Sequence, residues 1–152
     1  DILSELDRHV PRADIDFVYV PWYRRSRSNM NVAFVNFRSP SAACAALTSV
    51  GGQAWSSGGP HSPILAVYAD TQGLAENLLR FQRTVLDTGT EISEHLPVVF
   101  EGGVRLPLEV ALKRCSQQLG REGRPATEGG GPRFQAEVLS GVEFFEPHSE
   151  AA

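Results

Sequence analysis

Cysteine is scarce: Cys44 and Cys115 are the only two among 152 residues. They form no metal-ligand spacing and read as reduced thiols of a nuclear or cytoplasmic protein. Long apolar runs are missing as well, so no membrane span is expected, and no signal-peptide pattern is present. His9, His61, His95 and His148 are scattered without ligand or triad spacing. No P-loop, dinucleotide fingerprint or G-x-S-x-G stretch occurs, and the Gly129–Gly131 run lacks the strand and helix that a phosphate cradle needs. A non-enzymatic protein is therefore expected, with no catalytic residue, metal ligand, cofactor or small-molecule substrate. An excess of positive charge is absent too. The net charge is −4 and the isoelectric point about 5.5, which does not advertise nucleic-acid binding. The chain begins at Asp1 rather than Met and is read as a fragment.

What is present is enough hydrophobic residue, 41%, for one real core plus an appendage. Helical spacing aligns Ile2, Leu3, Leu6 and Val10 over residues 1–10, and Pro11 stops the run. "DFVYVP" alternates like a strand near 16–20. "NVAFVNF" predicts another over 32–38, with Val32, Phe34 and Asn36 on one face and Ala33, Val35 and Phe37 on the other. Ser39-Pro40 then opens a short Ala-rich helix over 40–50, as N-cap and first-turn proline, and Gly51-Gly52 ends it. A third strand is expected over 64–69. An amphipathic helix over 73–86 aligns Leu74, Leu78, Phe81 and Val85, and a further helix spans 107–119.

The order α-β-β-α-β lacks only a leading strand to become a split βαβ plait. The expected fold class is thus α/β: an α+β plait of ferredoxin-like type. Its antiparallel sheet would carry helices on one face, lack its first strand and bear extra C-terminal helices. The domain reading is a plait with its extension over 1–108, an appended helix over 109–119, and a flexible linker with a disordered tail over 120–152. Half of the 14 residues 120–133 are Gly or Pro. "FQAEVLSGVEFFEPHSEAA" is too short to fold alone.

The quoted stretches resemble a known family. "DFVYVP", "NMNVAFVNFRSP", "ILAVYADTQGLAENLLRFQ" and "LPVVF" are similar to the C-terminal RNA recognition motif of the meiosis regulator Mei-two and its relatives. The likeness covers roughly residues 1–108 and includes the third-helix extension that ordinary recognition motifs lack. It implies single-stranded RNA as partner, read by bases lying on outward aromatic rings. In register, Val32 and Phe34 hold the two ring positions, and Phe34 alone keeps the aromatic residue. Asn31 stands where glycine is usual. Phe37 should be core in any case, and the family register points Tyr68 inward too. The remaining ring belongs to the first strand, which is missing here. Its absence should leave the inner edges of 32–38 and 64–69 unpaired, giving an open sheet, their direct pairing, or self-association.

Charge supports the same face. Residues 17–38 contain Arg24, Arg25, Arg27 and Arg38 and no acid, so a +4 window sits in a chain whose remainder carries −8. Such a loop can contact phosphates without making the whole molecule basic. Tyr23 or Trp22 could add stacking, and Asn29 and Asn36 could hydrogen-bond a base. Two readings stay open: RNA binding, and a degenerate recognition motif that contacts protein. Substitution of the ring at Val32 and the acidic remainder favour the second.

Overall fold

Ser39 and Pro40 start their helix as expected: the Ser39 hydroxyl accepts the Ala42 N–H at 3.2 Å, and Pro40 occupies the first turn. The computed structural model describes residues 2–23, 28–29, 32–54, 63–88, 95–121 and 141–145. In chain order the elements are α1 (Ile2–Leu6), β1 (Ile15–Tyr19), β2 (Trp22–Tyr23), β3 (Ser28–Asn29), β4 (Val32–Phe37), α2 (Pro40–Val50), β5 (Leu65–Tyr68), α3 (Leu74–Thr88), β6 (Val98–Glu101), β7 (Val104–Leu106), α4 (Leu108–Arg121) and β8 (Gly141–Phe145). The protein is a mixed α+β fold.

Helix α1 is shorter than the predicted 1–10. Pro11 disfavours helical geometry at Val10, and the chain tightens through Arg8 N–H to Glu5 O (3.1 Å) and His9 N–H to Leu6 O (2.9 Å). Arg12 fastens this turn. Its guanidinium grips the Asp7 carboxylate, donates to Leu3 O at 3.2 Å and lies over the Phe100 ring, 5.0 Å from the centroid. That cation–π contact ties the turn after α1 to the sheet.

Six strands form one sheet in the order β5-β8-β4-β1-β6-β7, and each neighbouring pair is antiparallel. The predicted gap between 32–38 and 64–69 is filled. Strand β8 lies between β4 and β5: Val32 to Asn36 pair with Phe145 to Gly141, and Leu65 to Tyr68 with Phe145 to Val142. This corrects the expectation of unpaired inner edges, and that of a disordered tail for 141–145. The physical reason is the one that made the gap costly. Two rows of backbone N–H and C=O groups need partners, and "GVEFF" alternates as a strand does. The segment is too short to fold alone and folds by completing a sheet. The other residues after Arg121 lie outside the described ones.

Helices cover both faces, where one was expected. On the first, Ile15, Val18, Val35 and Phe37 pack with Leu6, Val10, Ile64 and Phe100 against Ala42, Ala43, Ala46 and Val50 of α2. The small alanines let that helix sit close to the strands. On the second face, Phe17 and Val99 pack against Leu78 of α3 and Ala111 and Cys115 of α4. A β-bulge lets both Ile15 and Phe17 be buried, on opposite faces, with Asp16 between them. The β6–β7 hairpin turns on Gly102 and Gly103, whose φ of 58° and 84° suit a two-residue turn closed to most side chains.

Phe37 is 1% exposed at the centre of the first core. Phe37→Ala should therefore cost about 3–5 kcal/mol of unfolding free energy. Chemical denaturation measures it, and a loss below about 1 kcal/mol would contradict the assigned strand face.

Candidate nucleic-acid interface

Strand β4 is the spine of the candidate interface. Its first-face residues Ala33, Val35 and Phe37 are buried as expected. The opposite face carries Val32, Phe34 and Asn36, and their surroundings differ from what the sequence suggests.

Phe34 is half-buried rather than fully outward. Its cross-strand partner is Tyr19, and both pack against the α3/α4 cluster. Tyr19 in turn meets the edge of Phe81 from α3, with ring centroids 5.4 Å apart and planes at 69°. Burial also raises the Tyr19 phenol above its ordinary pKa. The aromatic run Phe34–Tyr19–Phe81 thus leads from open sheet to beneath a helix. Val32, farther toward the strand start, is half-buried.

Asn36 is not available to a base, which corrects that expectation. It is 2% exposed. Its amide donates to Asp16 Oδ1 (2.8 Å) and Phe37 O (3.2 Å), and its Oδ1 accepts the Gly73 N–H (3.0 Å). Gly73 has φ 86° and sits just before α3, where the Asn77 amide donates to its carbonyl at 2.8 Å. A buried amide must spend its donors and acceptor within the protein. Asn36 spends them joining the β1 bulge, β4 and the start of α3.

Tyr68 was expected inward by family register, yet it is 42% exposed. It ends β5, the outermost strand on that side, where no further strand shields it. Leu65 and Val67 on the same strand are each 43% exposed. Register sets Val67, Glu143, Phe34 and Tyr19 in one row across four strands, and Leu65, Phe145 and Val32 in the next. Of these residues, Tyr19 and Phe34 lie on the face that α3 and α4 share, and alternation sets Val32 on that face too. Helix contacts reach the Tyr19 end, while Leu65 and Val67 stay open.

The basic residues divide. Arg38 is exposed, and its backbone N–H donates to Asp14 O at 2.8 Å. Arg24, Arg25 and Arg27 lie outside the described residues, as do the side chains of Tyr23 and Asn29. The segments flanking them pair as a ribbon, Trp22 with Asn29 and Tyr23 with Ser28. Trp22 is 40% exposed and stacks on His95, centroids 4.3 Å apart and planes at 15°, so one of its faces is already used.

Sequence reasoning passed over Asp16 except as part of a motif. It borders a cleft of about 250 Å³ between the sheet and helices α3 and α4. Leu78, Val99 and Ala111 are part of its apolar lining, and Arg38 and the ion-paired Glu101 and Arg114 are among its charged residues. Burial pushes the Asp16 carboxyl up to about 6, against the opposing pull of the Asn36 hydrogen bond and the Arg38 charge. Its position in a bulge was not legible, because bulges depend on pairing register.

No protein-family model, curated protein or solved structure matches the chain. Among the described residues, no helix is long and apolar enough to cross a membrane.

The Asp16 carboxyl binds its proton more tightly folded than unfolded, where its ordinary value is 3.8. Its favourable contribution is therefore fully present below about pH 4 and is lost as pH rises through about 6. Asp16→Asn keeps an acceptor for Asn36 without the charge. It should stabilise the protein by roughly 1–3 kcal/mol at pH 7.5, with the gain vanishing near pH 4. Denaturation at both pH values tests this, and a gain independent of pH would refute it.

Proposed function

We propose that this domain binds single-stranded RNA across the open half of the sheet face, with Phe34 as a stacking ring and basic residues holding the phosphates. The observation that carries the proposal is the pair of rows on β5, β8, β4 and β1. Phe34 and Val32 occupy the two ring positions of the resemblance, and register sets Phe145 beside Val32. The antiparallel order β5-β8-β4-β1 also supports reading these strands as a ferredoxin-like plait whose first strand is supplied from the tail. Each base–aromatic contact contributes about 1–3 kcal/mol. Arg38, exposed at the end of β4, and the Arg24, Arg25 and Arg27 segment would supply phosphate contacts. Asn36 has no part in this reading. The role is binding rather than catalysis.

A second reading, a recognition motif used for protein contact, draws on a different observation. Leu65 and Val67 present apolar surface at one side of the face, and α3 and α4 occupy the other. The two readings part on charge and stacking.

Fluorescence titration with a pool of labelled single-stranded RNA oligonucleotides separates them. Phe34→Ala should weaken binding about 5- to 150-fold, the range equivalent to one stacked base, with the circular-dichroism spectrum of the folded protein retained. Replacing Arg24, Arg25 and Arg27 by Ala should make the salt dependence shallower, by about 0.7 in log–log slope for each phosphate no longer neutralised. A folded protein that binds no RNA would leave the protein-contact reading, and one that binds it equally well after these changes would overturn the interface named here.

A further inference from the structure

The slot between β4 and β5 takes its strand from the far end of the chain. Residues 122–140 separate the last residue of α4 from the first of β8. Nineteen residues can span at most about 63–68 Å when extended. That is far more than the radius of gyration of about 14 Å expected for a 120-residue body. The tether therefore restricts the strand's range without dictating which body it enters. What holds the strand in register is backbone pairing on both sides: all five residues of β8 pair with β4, and four pair with β5. Those ladders are identical from one copy of the chain to the next.

We propose that the slot is a strand-acceptor site that also takes residues 141–145 of a second copy, giving a reciprocally swapped dimer. Both slots of the pair are then filled, so the closed dimer exposes no unpaired inner edge and does not propagate into a fibre. Intramolecular filling dominates in dilute solution, because the covalent connection gives an effective concentration on the order of millimolar. Exchange competes when the chain concentration approaches that value, or when molecules refold together. This inference is independent of the RNA reading and has a different readout.

A cross-strand disulfide tests it in the full chain. Val67 and Glu143 are partners in the β5–β8 ladder. In a Cys44→Ser background, which removes the exposed thiol, one chain carries Val67→Cys and a second carries Glu143→Cys. Neither can form the link alone. The two are unfolded together, refolded at several concentrations and oxidised. On a non-reducing gel, a species of twice the chain mass should rise with concentration, from roughly one per cent near 10 µM to tens of per cent near 1 mM. A chain carrying both substitutions should link internally at 10 µM. The proposal is overturned if that double variant links internally while mixed chains never exceed the background of Val67→Cys refolded by itself. It is equally overturned if the double variant forms no internal link, since the strand is then not in the slot.

Discussion

The fold depends on the double ladder that Gly141–Phe145 makes with β4 and β5. Without it, the central strand β4 would present one edge of unpaired backbone, and β5 would have no strand to join. Buried polar groups without partners cost more than the hydrogen bonds they lack would contribute. The first core also runs through this region: Val35 of β4 is 2% exposed, and Ala66 of β5 packs on the same cluster. A segment with little ability to fold by itself therefore holds the middle of the sheet, because it closes two edges at once.

The opposite face is organised by Asn36. Its side-chain hydrogen bonds join the β1 bulge, its own strand and the residue that opens α3. From that start, α3 lies over Tyr19 and the inner side of Phe34, and α4 packs beside it over Val99. The consequence is a divided face. The half toward β6 is covered by helices, and the half toward β5 stays open with Leu65 and Val67 exposed. A residue expected to hydrogen-bond a base instead anchors the start of the helix that covers the half toward β6.

Local structure was largely legible in the sequence. The helix opened by Ser39-Pro40, the alternation of 32–37 and the stripe of Leu74, Leu78 and Phe81 each carry their own signal, and each lies within a residue or two of its expected bounds. The faces of β4 followed from alternation alone. What escaped was set by distant pairing. The bulge at Asp16, the exposure of Tyr68 and the burial of Asn36 depend on which strands and helices arrive next to them. The tail strand escaped because its neighbours in sequence are rich in Gly and Pro. The signal was there in Val142 and Phe144 alternating with Glu143, but five residues carry too little of it to outweigh a linker-like context. Alternation alone set Phe34 opposite Phe37, but its half-burial comes from helices elsewhere in the chain and could not be read from the strand itself.

Amide hydrogen exchange, read residue by residue by NMR on the full chain, tests the central role of the tail strand most directly. Amides of 141–145 that face β4 and β5 should be protected to the same degree as those of Val32–Phe37, since the two strands open only together. Tail amides that exchange at the rate of an unstructured peptide, while β4 stays protected, would contradict the account.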